Sequence, residues 1–174
     1  MSLTLHRVTP DDWRSHRDLR LEMLTAAPDA FLTRYDDVAG FDEATWRERI
    51  ATQCHFQARL NGEVVGSVGV WDDPDTPDDA ATLVAMYVTP AARGTGVAER
   101  LVEAVFEEAA RRGRTRVVLE VTEGNEPAIR LYERMGFTYD GTRHPLPHTP
   151  DLYERGMERA LDTPLPGAAT GVGG

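Results

Sequence analysis

The 174-residue chain contains no lysine, so its 19 basic residues are all arginines. That absence removes two kinds of chemistry, because neither a phosphate-loop lysine of the GxxxxGK[ST] type nor a lysine Schiff base can be built. Cysteine is nearly absent too. The single thiol, Cys54, cannot form an internal disulfide, has no companions at metal-ligand spacing, and reads as a small buried residue, so no metal site is expected from it. No apolar run approaches the roughly 20 residues that span a bilayer. The opening "MSLTLHRVTP" lacks the apolar centre of a signal peptide, and a cytoplasmic location is expected. Positive charge is also in deficit: 29 acidic residues give a net charge of −10. Such a balance opposes non-specific binding to nucleic acid or an anionic membrane and favours a cationic partner.

What remains is an ordinary globular composition, 41% hydrophobic, sized for one domain. Residues 1–161 are expected to form that domain, and the small-residue stretch "DTPLPGAATGVGG", 162–174, a disordered tail. "LTLHRV" alternates as a short strand. The next segment, "TPDDWRSHRDLRLEML", carries a cap at Thr9 or Asp11 and apolar Trp13, Leu19, Met23 and Leu24 on one helical face. A second helix is predicted in "DEATWRERIATQ". "CHFQARLNGEVVGSVGVW" reads as a hairpin turning at Asn61-Gly62, which tolerate the positive φ of a tight turn. After the acidic loop Asp72–Asp79, read as solvated or as an attractor for a cationic amine, come the strand "ATLVAMYV", the helix "GVAERLVEAVFEEAARRG" and the strand "TRVVLEVT". The helix "EPAIRLYERMG" opens on a tolerated proline and closes on Gly136. "FTYDGT" and "DLYERGMERAL" read as two closing strands. The order β-α-α-β-β-β-α-β-α-β-β predicts an α/β fold whose parallel part is the unit Leu83–Thr122.

Chemistry concentrates in "YVTPAARGTGVAERL", where a strand breaks at Pro90 and leads through Gly94 and Gly96 into a helix. A helix N-terminus offers free amides and partial positive charge, so glycines beside Arg93 make a pyrophosphate cradle. For the loop alone, a glycine turn with a solvated arginine stands as the other reading. A dinucleotide-binding reading ranks behind, since "GTGVAE" begins like GxGxxG and Glu120 ends a strand downstream. Against it, the third glycine is Glu99 and residues Thr89 to Arg93 intervene. Further on, Asn125 and Tyr132 are seven apart, nearly one helix face, although as single residues they also read as a helix cap and a half-buried aromatic.

Taken together, Pro90, Arg93-x-x-Gly96-x-Ala98, Asn125 and "LYERMGF" resemble the GCN5-related N-acetyltransferases (GNAT) over Leu83 to Phe137. The resemblance implies a GNAT-like fold: a mixed, mostly antiparallel central sheet with a central β-α-β cofactor-binding unit and flanking helices. It implies an acyltransferase that moves an acetyl group from acetyl-CoA directly to a primary amine. By position, Arg93, Gly94, Thr95, Gly96, Val97 and Ala98 would hold the cofactor pyrophosphate. Met86, Tyr87 and Val88 would pair by backbone with the pantetheine arm, Asn125 would contact that arm, and Tyr132 would protonate the departing thiolate. The segment "LEV" with Asn125 and "LYE" also resembles ribosomal-protein alanine acetyltransferases, which makes Glu120 the candidate general base; Asp79, Glu22 and His144 stand behind it. Many relatives carry an acid in the strand before the phosphate loop, where "ATLVAMYV" has none. That departure keeps a cofactor-binding regulatory module without efficient transfer as an alternative, with the dinucleotide oxidoreductase third.

The acceptor cleft of this fold would lie between Asp11–Gln53 and Thr138–Arg155, and no motif there names a substrate: a small-molecule amine, an amino-acid-like metabolite and a protein N-terminus all remain open. Pairing through the C-terminal strands would make a homodimer. His144 and His148 in "HPLPH" are separated by prolines that break a helix, so that stretch is predicted as a loop without a metal, and Trp13, Trp46 and Trp71 as packing residues.

Overall fold

The computed structural model describes residues 2–28, 33–72, 74–147 and 149–161; the expected tail, 162–174, and His148 lie outside the described residues. Seven strands form one sheet: β1 Leu3–Arg7, β2 Cys54–Leu60, β3 Glu63–Trp71, β4 Ala80–Val88, β5 Arg116–Thr122, β6 Thr138–Leu146 and β7 Thr149–Ala160. Their order is β1-β2-β3-β4-β5-β7-β6, antiparallel everywhere except β4–β5. The helices are α1 Trp13–Ala26, α2 Tyr35–Val38, α3 Glu43–Thr52, α4 Val97–Arg111 and α5 Glu126–Arg134. The short α2 falls between the two helices read from the sequence.

The local predictions have visible physical counterparts. Asn61 and Gly62 turn the β2–β3 hairpin at φ 52° and 88°. Along α4, Val97, Leu101, Val102, Val105 and Ala109 are buried at helical spacing, and they pack on the sheet face that carries Phe56, Val68, Leu83 and Leu119. Helices α1 and α3 cover the other face of the same sheet over β2–β4, with Leu19, Met23, Leu24 and Trp46 packed together beside Tyr87. Cys54 is buried as expected.

Three expectations need correction. The parallel pairing is short and lies earlier than Leu83: Ala80–Thr82 pair with Arg116–Val118, after which the two strands part. The "HPLPH" stretch is not a loop throughout, because β6 runs through His144, Pro145 and Leu146. Proline is tolerated there since β6 is the sheet edge and no outer ladder bond is lost. Finally, the acidic loop is not simply solvated. Asp72 pairs with Arg112 at 2.8 Å and with Arg114 at 3.5 Å, while Asp79 pairs with Arg116 at 3.3 Å.

Candidate active site

Beyond Thr82 and Val118, β4 loses β5 as its ladder neighbour, and the gap opens into a cavity of about 1140 Å³. Strand β4 is itself bent at this point. Gly69 opposes Val84 and Ser67 opposes Tyr87, so Ala85 and Met86 together face Val68 alone, and Ala85 takes a φ of 54°. The result is a strand edge turned toward the cavity, with Met86, Tyr87 and Val88 among its lining residues. An extended amide-bearing chain has backbone partners along such an edge.

At the far end of β4, Pro90–Ala92 form a 3₁₀ turn and Gly96 caps α4. Gly94 and Gly96 sit at φ 77° and 88°, conformations that few other residues adopt. A Cβ at either position would meet nothing within 4 Å, which leaves the α4 amides open to a ligand. Arg93 donates from Nε to the Val88 carbonyl at 3.3 Å, bracing the loop, and lines the cavity with Ala98. Two of the sequence-predicted residues act differently. Thr95 turns its hydroxyl back to donate to the Ala92 carbonyl, and the Val97 side chain is buried in the core. Their contribution to an anion site is confined to backbone amides. These groups fit the diphosphate and pantetheine portions of a coenzyme.

Across the gap, Asn125 caps α5 by accepting from the Ala128 amide at 3.4 Å, and both it and Tyr132 line the cavity. Tyr132 is 6% exposed and packs edge-on against Phe137, with ring centroids 5.7 Å apart. Burial pushes its phenol well above the usual value. No described residue hydrogen-bonds its hydroxyl, so it reaches the cavity un-ionised and able to donate.

Glu120 points away from Leu119 and Val121, as period-two alternation requires, and is half exposed on the cavity wall. It does not stand alone. His144 lies opposite Glu154 in the β6–β7 ladder, and its Nε2 is 2.9 Å from a Glu154 oxygen and 3.1 Å from a Glu120 oxygen. Glu154 is buried; that burial, with a hydrogen bond and charge repulsion from Glu120, raises it to about 7, against the pull of His144. Two carboxylates sharing one imidazole can take up a proton near neutrality. Glu154 was missed by sequence reasoning because only the β5–β7 register, Thr122 opposite Glu154, brings it beside Glu120. The lesser base candidates fare differently: Asp79 is held by Arg116, Glu22 is exposed on α1, and His144 belongs to the cluster. Among the tryptophans, Trp46 is core, Trp13 lies under Arg14 and Arg17, and Trp71 is exposed.

Comparison with known proteins identifies the family and the fold. Residues 14–137 match the family model described as "Acetyltransferase (GNAT) family". An uncharacterized N-acetyltransferase of Escherichia coli (strain K12), YjgM, is 40% identical over 85 residues, 49% of this chain and 51% of that protein. The chain thus spans about half the length of the curated relatives it matches. Among solved structures, a GNAT-family acetyltransferase from Streptococcus pneumoniae superposes with a TM-score of 0.75 at 20% identity, covering 91% of this chain and 99% of that one. The protein yncA from Salmonella typhimurium, determined with its cofactor acetyl-CoA, gives 0.70 at 22% identity, covering 97% and 100%. Both likenesses show the fold.

Proposed function

The chain belongs to the acetyltransferase (GNAT) family, and from that premise we propose that it transfers the acetyl group of acetyl-CoA to a primary amine by direct attack, with Tyr132 as general acid and Glu120, paired with Glu154, as general base. The observation that carries this reading is the meeting of both functions in one cavity: a buried phenol from α5 and a carboxylate pair from β5 and β7 line the gap where β4 and β5 part.

Acetyl-CoA, when bound, supplies the acetyl group and the thiol leaving group. The cofactor-binding set is Met86, Tyr87 and Val88 along the β4 edge, the backbone amides from Arg93 through Gly94, Thr95, Gly96 and Val97 to Ala98 at the α4 N-terminus with the Arg93 side chain, and Asn125 at the α5 cap. An amine arrives protonated near neutrality and must lose a proton before it attacks, which the Glu120–Glu154 pair accepts. His144, within 3.1 Å of both carboxylates, holds them in register and offers a path for that proton toward solvent. On the leaving side, the Tyr132 hydroxyl donates to sulfur as negative charge develops there. The same residues serve either a small-molecule amine or a protein N-terminus.

A thiol-release assay with acetyl-CoA and a panel of primary amines tests the reading. Amine-dependent release that collapses in the Tyr132→Phe and Glu120→Gln proteins supports it. Tight acetyl-CoA binding with no release across the panel would assign the chain to the binding modules instead.

A further inference from the structure

The cavity wall opposite the carboxylate pair is basic, and its two arginines have no carboxylate partner among the described residues. Arg20 on α1 and Arg49 on α3 both line it, together with His55 from β2. His55 lies against His16 of α1, with ring centroids 4.7 Å apart. Ten arginines of the described residues stand in ion pairs with carboxylates. Arg20 and Arg49 do not, although the chain carries ten more acids than bases, 29 against 19. The contact made by Arg49 is with the Phe41 ring, 5.3 Å from its guanidinium carbon. Burial and then Arg49 bring Arg20 to about 10, burial with these two arginines brings His16 to about 4, and burial, then His16, then the two arginines bring His55 to about 3. Asp12 is the one acid that offsets this, and only at His16. Two half-buried like charges beside two neutralised imidazoles form an arrangement that an anion would relieve.

Register places this wall level with the reacting groups. His55 opposes Gly69, Gly69 opposes Val84, and the β4–β5 pair Thr82–Val118 sets Glu120 two residues further along, level with Val84 and opposite Gly156. A single row across one sheet face thus runs from His55 to Glu120. It crosses two ladder spacings, roughly 10 Å, and then the wider gap where β4 and β5 have parted, a span that the arginine side chains shorten. The phosphate loop is elsewhere. It lies past Val88, four residues or roughly 13 Å along β4 from this row.

We propose that the acceptor is an amine that also carries an oxyanion, a carboxylate or a phosphate, which Arg20 and Arg49 hold while the amine lies at Glu120 and Glu154. The proposal rests on the acyl-transfer reading for the amine end; the anion end stands on the arginine pair alone. Guanidinium groups bind such oxyanions through paired N–H donors, while the neutral His55 ring is engaged at Nε2 by the Gln53 side-chain oxygen, 3.1 Å away. Two anchors at opposite ends of the row select acceptors whose oxyanion stands several bonds from the nitrogen.

The test uses ω-amino acids from glycine to 6-aminohexanoate and glutamate, each beside its own carboxamide, with phosphoethanolamine as the phosphate arm. The expected result is a kcat/KM at least about tenfold higher for one or more acids, or for phosphoethanolamine, than for the neutral counterparts. In Arg20→Gln and Arg49→Gln that advantage disappears, the acid falling to the level of its carboxamide, and Arg20→Lys restores part of it. Equal rates for acids and carboxamides in the unaltered protein, or an advantage that survives both substitutions, would overturn the proposal. Calorimetric titration of the same compounds into the protein saturated with coenzyme A separates this result from failure of the transfer reading. Acid binding that both glutamine variants lose supports the anion subsite even without turnover, and absence of any acid binding removes it.

Discussion

Tyr132 and Glu154 are buried titratable groups whose neighbours fix what each can do. For the phenol, burial favours the protonated form, so Tyr132 keeps its proton throughout the neutral range. Tyr132→Phe keeps the ring packing on Phe137 and removes only the hydroxyl. Turnover is expected to fall about 100-fold or more, while the KM for acetyl-CoA stays within about threefold; loss of acetyl-CoA binding instead would deny Tyr132 the acid role. For the base, Glu120→Gln lowers the rate at pH 7, and the rate recovers in part as rising pH deprotonates the amine unaided. A pH profile unchanged from the unaltered protein would remove Glu120. Glu154→Gln is expected to lower turnover as well, since the carboxylate neighbour of Glu120 and the acceptor for His144 are both lost.

Elements place these residues through features of unequal legibility. The Asn61-Gly62 hairpin, α4 and α5 were readable because turn chemistry and helical spacing are local. The parting of β4 and β5 was not, because parallel register is set across a long crossover rather than by adjacent residues. Nor was the end of β6, where edge position makes Pro145 harmless. The proposed cofactor residues from Met86 to Ala98 are contiguous in sequence and could therefore be named from a motif, with Asn125 joining them from α5. The opposite part of the cavity lining gathers Arg20, His55, Glu120 and Glu154 from α1, β2, β5 and β7, which no motif spacing encodes. One glycine tests the β6–β7 element directly. Three residues of β6, Asp140 to Thr142, face Gly156 alone, and a Cβ there would stand 2.5 Å from the Asp140 carboxylate, itself held by the Thr142 amide at 2.8 Å. Gly156→Ala should cost roughly 1–3 kcal/mol by overpacking and lower turnover by displacing side chains beside Glu120. Gly40→Ala, with nothing within 4 Å of its Cβ, should lower neither; a Gly156→Ala protein with unaltered midpoint and rate would refute the packing argument.

At the scale of the whole molecule, two opposed pH dependences are built into the site. His16 and His55 fall from 6.5 to about 4 and 3 on folding, so the unfolded chain binds more protons below pH 6.5. Their contribution is complete above that value and is lost as pH falls through about 4 and 3. Glu154 rises from 4.5 to about 7. Here the folded chain binds the extra proton, and that contribution is present below pH 4.5 and lost as pH rises through about 7. The two windows offset each other between pH 5 and 6.5. In Glu154→Gln one of them is gone, so its thermal midpoint relative to the unaltered protein should climb by a few degrees from pH 5 to pH 8. A constant difference across that range would contradict the assignment.

The central claim is that the gap between β4 and β5 is an acetyl-CoA site, and a thermal-shift comparison of acetyl-CoA with NADH tests it most directly. A ligand at about 100 times its dissociation constant stabilises a fold by roughly 2.7 kcal/mol, a rise of several degrees for a chain of this size. Acetyl-CoA is expected to give that rise and NADH none. A rise with NADH alone, or with neither, would contradict the claim.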